Sequence, residues 1–357
     1  MTGKKQDRKQ LSLIQVARAL GILLVVIGHV NLIFYDKFRY DWFNMGQWER
    51  SGGVDFFFVV TGFLIYYIYH SKIGIPGRTK DFLLKRFIRI FPLYWLFTFI
   101  LIATSMFYPT LHESYSWTLV IKSFLLLPDE PILSSAWSLS HVVFFYLLFS
   151  LLLFKPKFFK PVIAVWIFTT IVIELKIFSQ WESFLFSFST LEIVFGCIVA
   201  YITLRTKIKY SSIILVIGLS GYLMIWINNV LQLFSVHEPL LYCLFSLLIV
   251  LGIAIKDTGE IKIPKILGFL GNASYSVYIS HGPFLILYVL LFAEPLIRHI
   301  GHFMTTMFIL LLTILSACIV YIGIEKPLTK YLKEIIFHGS KASKLEQPVI
   351  QVRKRMV

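Results

Sequence analysis

Arg18 and His29 stand eleven residues apart in the run RALGILLVVIGH. If that run is helical, a turn of ~100° per residue brings both side chains to one face, ~16 Å apart along the axis. A guanidinium binds phosphate or carboxylate, and an imidazole takes or gives a proton near neutral pH. Taken singly, each has a plain alternative, a snorkelling arginine or a satisfied interfacial histidine. Asp55 follows Gly52 and Gly53 at the head of the next apolar run, where it can cap the helix or stand beside His29 and support it as a general base. Lys85, Arg86 and Arg89 cluster in KRFIRIFPLYW; three cations in a turn and a half suit the phosphates of a nucleotide-type donor, or simply anchor a helix end. Further groups set in apolar surroundings are Trp137 and His141 in WSLSH, Glu192, Tyr275 and His281, and Glu325 beside Lys326 and Pro327, which reads as a local salt bridge or cap.

The elements that must position these groups are written in composition. Hydrophobic residues make up 57% of the 357 and aromatics 17%, with mean hydropathy +0.77, more apolar surface than one water-soluble core can hide. Lipid is therefore the solvent, and charged side chains at that depth cost at least ~2.5 kcal/mol each, so they tend to be kept for a task. Apolar segments long enough for a ~30 Å hydrocarbon core are expected at 11–34, 54–69, 87–107, 136–154, 162–178, 184–204, 211–227, 240–255, 273–292 and 304–324. The predicted fold class is all-α, a polytopic integral membrane protein of about ten transmembrane helices with N- and C-termini cytoplasmic. In that arrangement 27 of the 34 Lys and Arg fall on the inner side, the positive-inside pattern. The +15 net charge then requires no nucleic acid. The first apolar run is too long for a cleaved signal and is expected to stay. Cys197, Cys243 and Cys318 lie within spans and pack as small hydrophobes. The stretch from Trp117 to Leu127 is too short to span and reads as interfacial, and the chain from Glu325 onward turns polar and basic.

Together these strings resemble the acyltransferase 3 family of membrane O-acyltransferases, which acetylate O-antigen, exopolysaccharide and other glycans. Arg18 and His29 look like its Arg-x10-His signature. GGVDFFFVVTGFLI resembles the second block through Asp55 and Gly62, KRFIRIFPLYW the third through Arg86, Arg89, Pro92 and Tyr94, and WSLSHVVFFYLLF the fourth. STLEIVFG with Glu192, SYSVYISHGP with Tyr275 and His281, and IEKPL complete the pattern. The resemblance implies an acyl-CoA donor, most often acetyl-CoA, held by Arg18, Arg86, Arg89 and Tyr275. It implies chemistry at His29, Asp55 and His281, with His281 a possible acyl carrier, and a glycan or lipid-linked glycan acceptor met by Trp137, His141 and Glu192. It further implies no metal, a multi-pass place in the bacterial plasma (inner) membrane among its lipids, and an acyltransferase domain over 1–335 with a basic cytoplasmic tail over 336–357. No fused esterase-like domain is expected, and a homo-oligomer is compatible with the sequence. Val142 stands where the family usually has Glu, which opens the reading of an impaired member. The rival from another class is a glycan-precursor transporter using the same buried charges as a path.

Overall fold

The computed structural model describes residues 11–107, 115–128, 131–175, 183–206, 208–257 and 262–345, with side chains to 337. It is helical throughout, with no strand among the described residues. The helices are α1 (Ser12–Phe38), α2 (Gly53–Tyr69), α3 (Arg78–Phe107), α4 (Trp117–Phe124), α5 (Trp137–Phe154), α6 (Pro156–Glu174), α7 (Phe188–Arg205), α8 (Ser211–Leu231), α9 (Glu238–Lys256), α10 (Lys265–Tyr288), α11 (Glu294–Val320) and α12 (Lys326–Leu345). Among the described residues, nine helical runs are long and apolar enough to cross a membrane. The last of them, Lys265–Phe337, would be roughly 110 Å long at 1.5 Å per residue, far beyond one crossing. It breaks at Gly301, whose φ of 77° and ψ of 170° are non-helical, and α11 folds back onto α10. That run therefore supplies two of the apolar segments expected from sequence.

Boundaries depart from expectation where local chemistry favours continuation. α3 begins nine residues before the predicted 87, because Arg78–Arg86 is a good helical stretch that leaves the apolar segment without a break, and Pro92 sits inside it. The predicted ends at 178 and beyond 345 lie outside the described residues. From Lys326 the chain stays helical through Leu345. The interfacial stretch holds α4, eight residues long, capped by the Ser116 hydroxyl, which accepts from the Leu119 amide at 3.2 Å.

Large apolar side chains face outward, including Val165 at 65% and Phe168 at 68% exposure, as lipid-facing surface must. The interior holds three packed clusters, on α2, α3 and α5, on α1, α2, α7, α8 and α9, and on α1, α10 and α11. The closest crossing is that of α2 with α7. A side-chain carbon at Gly62 would meet the Ile193 backbone carbonyl, and one at Gly196 would meet that of Val59. Small residues let two backbones approach where apolar burial gives no drive in lipid.

Candidate functional site

A cavity of about 700 Å³ opens between α1, α2, α3, α5, α10 and α12, within the ~300–1,000 Å³ range of small-molecule sites. Five cationic side chains line it, Arg18, Lys85, Arg86, Arg89 and Lys333, and no carboxylate does among the described residues. Each cation is held differently. Arg18 donates through Nη2 to the Ser274 hydroxyl at 2.7 Å and through Nη1 to Gln15 Oε1 at 3.2 Å. Arg86 lies among the rings of Tyr69, Phe82 and Tyr146, 5.7–5.8 Å from their centres, and its Nε donates to no acceptor among the described residues. Arg89 is ion-paired with Glu325 and stands 5.1 Å from the centre of the Tyr275 ring. Tyr275 is fixed in turn, its hydroxyl donating to the Ile90 carbonyl at 2.6 Å. All four residues expected to hold the donor thus line one cavity. It continues past Val142, Ser138, Val54 and Tyr278.

Tyr278 leads to a pair of imidazoles, its ring centre 6.2 Å from that of His281. His281 meets His29 edge to face at 4.9 Å between ring centres. Both rings have a forced tautomer. His29 Nδ1 faces the Val25 carbonyl at 2.9 Å, and His281 Nδ1 faces those of Val277 and Tyr278 at 3.1 and 2.8 Å. A carbonyl only accepts, so each Nδ1 carries the proton and each Nε2 keeps its lone pair. His281 is fully buried, and its Nε2 has no partner among the described residues. Arg18 meets Ser274 and His29 meets His281, so both groups of α1 face α10, in keeping with the single face read from their spacing.

Asp55 departs from its expected place beside His29. Its carboxylate accepts from Arg50 Nη1 at 2.8 Å and adjoins the carboxyl of Glu192 on α7. Asp55 and Gly62 are seven residues apart, about two turns less ~20°, so the face that packs Gly62 on α7 carries Asp55 there too. The cap of α2 is Gly52, and Asp55 sits one turn in, where a helix N-terminus favours a carboxylate. Arg50 lies on the loop before α2, held by the Trp226 indole and the Tyr222 and Tyr242 hydroxyls, which donate to the carbonyls of Ser51, Gly52 and Arg50. Burial opposes the Arg50 charge, but the Asp55 carboxylate outweighs it and holds the guanidinium above its ordinary range. Neither oxygen of the wholly buried Glu192 accepts a hydrogen bond among the described residues. His141 is close along α7, its Nδ1 3.2 Å from the Thr190 hydroxyl and its ring stacked on Phe184. Trp137 stands edge-on to His141 and to Phe58.

The predicted residues therefore fall into three groups, the basic cavity, the imidazole pair, and the carboxyl cluster with His141 and Trp137. Sequence reasoning missed the partners. Glu325 bonds not to Lys326 but to Arg89 and Ser276. Arg50 carries no expectation of its own from sequence, although its place five residues before Asp55 is the available signal. Among the described residues, no three His, Cys, Asp or Glu side chains converge as metal ligands would.

Residues 12–324 match a family model described as an acyltransferase domain. Over 248 residues, 65% of this chain and 75% of the relative, the sequence is 25% identical to the exopolysaccharide production protein ExoZ of Rhizobium meliloti (strain 1021). No solved structure matches significantly.

Proposed function

The chain belongs to the acyltransferase 3 family, and from that premise we propose that it moves an acetyl group from acetyl-CoA to a hydroxyl of a cell-envelope polysaccharide or its lipid-linked precursor. The observation that carries this reading is the basic cavity, which gathers Arg18, Arg86, Arg89 and Tyr275 and continues to Tyr278, against the imidazole pair. A polyanionic donor matches its five cations, and the thioester end of the donor then lies toward the histidines. His29 Nε2 takes the proton of the sugar hydroxyl as its oxygen bonds to the thioester carbonyl carbon. The carbon–sulfur bond breaks, and the proton passes to the departing thiolate, giving an ester and free CoA. The His281 ring, edge to face with His29, steadies the proton in transit. Complete burial of His281 favours direct transfer over an acyl-enzyme. Asp55, Glu192, His141 and Trp137 form the acceptor side, and the name of the Rhizobium meliloti relative supports an exopolysaccharide as acceptor. Both termini are assigned to the cytoplasm of a bacterial cell with the chain in the plasma membrane, residues 1–335 forming the acyltransferase unit and 336–357 a basic tail.

Membranes carrying the chain, given acetyl-CoA labelled in the acetyl group together with envelope glycan, are expected to form labelled, alkali-labile ester and to release CoA. Glycan movement without donor consumption would make the chain a transporter and overturn the reading.

A further inference from the structure

The family match ends at residue 324, yet the basic cavity is completed from beyond it. Lys333 projects into the lining from α12, a helix whose place at the cavity is fixed by three contacts. Glu325, immediately before α12, is ion-paired with Arg89 of α3 and accepts from the Ser276 hydroxyl of α10. One turn past Lys333, the Phe337 ring receives the Lys85 ammonium at 5.3 Å from its centre. These contacts bring Lys333 toward Lys85, Arg86 and Arg89, and the carboxylate beside them, Glu325, is already paired with Arg89, so among the described residues the cations of the lining outnumber it. Like charges gathered around empty space repel, so the arrangement is stabilised by an anion placed among them. Arg89 already has Glu325, Arg86 is boxed by rings and Lys85 lies over Phe337, whereas Lys333 is exposed on α12. A compact, rotatable point charge suits a terminal phosphate better than a fixed planar fork does.

We propose that α12 is part of the donor site and that Lys333 binds a phosphate of the nucleotide end of the acyl donor. This rests on the reading of the cavity as an acyl-CoA site. The nucleotide end carries a diphosphate and a separate 3′-phosphate, more anionic oxygens than Arg86 and Arg89 can satisfy alone. A phospholipid headgroup offers the same phosphate chemistry, and lipid composition separates the two sources.

The test is equilibrium binding of CoA, 3′-dephospho-CoA and pantetheine to the purified full-length chain in discs of neutral lipid, compared with Lys333→Ala, Lys333→Arg and, as control on the same helix, Lys330→Ala. Loss of one charge-assisted contact is expected to raise the CoA dissociation constant about tenfold in Lys333→Ala. Pantetheine binding and melting temperature should not move, Arg should restore most of the loss, and Lys330→Ala should bind as the native chain does. If the native chain prefers CoA to pantetheine and Lys333→Ala keeps that preference in full, the assignment of Lys333 fails while the donor reading stands. If the native chain binds CoA no better than pantetheine, the donor reading itself fails. An effect of Lys333→Ala confined to discs containing anionic lipid would assign the lysine to headgroups and overturn the proposal.

Discussion

The basic cavity and the carboxyl cluster are built on opposite plans. In the cavity, cations from α1, α3 and α12 surround about 700 Å³ of open volume and the lining supplies no negative charge among the described residues. In the cluster, Arg50, Asp55 and Glu192 are packed together, with Asp55 at 2% and Glu192 at 0% exposure. A set of like charges around a void waits for charge from outside. A packed set of mixed charges pairs Arg50 with Asp55, leaves Glu192 without a hydrogen bond among the described residues, and needs the pair to remain folded. The imidazole pair shares features of both, since its tautomers are locked from within while the Nε2 lone pair of His281 has no partner among the described residues. One helix, α2, divides the plans, with Val54, Phe58 and Thr61 facing the cavity and Asp55 and Gly62 facing α7.

That contrast predicts that substitutions separate chemistry, folding and binding. His29→Ala removes the base and should lower acetyl transfer by about 10²–10⁴-fold, with CoA binding measured in the same preparation unchanged. A parallel loss of CoA affinity would erase the boundary between pair and cavity. Arg50→Ala leaves Asp55 as a buried carboxylate without its cation, which costs about 3 kcal/mol. Part of the Arg50 side chain is exposed, at 29%, so this is an upper figure once solvent screening is allowed for. Thermal melting in detergent should show a clear drop for Arg50→Ala and CoA affinity should hold in the surviving folded fraction; a stable Arg50→Ala protein would show that the cluster does not depend on that pair.

The sequence made the membrane architecture legible because hydropathy is local: each span carries its own evidence. The shared face of Arg18 and His29 was legible for the same reason, since one helix fixes their relation. What stayed hidden depends on how helices rotate against one another. The place of Asp55 at the head of a helix was readable, but its direction was decided by Gly62 and Gly196, which bring α2 and α7 into backbone contact and aim Asp55 at Glu192 instead of His29. The Arg89–Glu325 pair joins residues 236 positions apart, and nothing near Glu325 announces it except Lys326, the wrong partner. The meeting of His29 and His281 was likewise invisible, although each histidine was singled out.

Smaller effects sharpen the cavity side of the comparison. Arg18→Ala removes a cation and its bond to Ser274, and about a tenfold weaker CoA affinity is expected, the scale of one charge-assisted hydrogen bond. Arg18→Lys keeps the charge but loses the fork that reaches Gln15 and Ser274 together, so it should recover only part of the loss. Unchanged affinity in a purified binding assay with Arg18→Ala would remove this residue from the donor site.

The finest test concerns Val142, the position where the resemblance leads one to expect Glu. Val142 is buried at 8% exposure yet lines the cavity, one helical turn from Tyr146, whose ring faces Arg86. A carboxylate there would enter the open volume, not the packed core, so Val142→Glu should fold. Its reach upward along α5 passes Ser138 toward Tyr278, the stretch that links the cavity to the imidazole pair. If that link serves proton transfer, Val142→Glu should raise turnover about threefold, a partial share of what a well-placed acid–base group supplies, with CoA affinity changed less than twofold. If the added carboxylate instead pairs with Arg86, CoA affinity falls and turnover with it. The first outcome marks position 142 as belonging to the chemistry, and the second extends the anion-binding plan of the cavity as far up as α5 reaches.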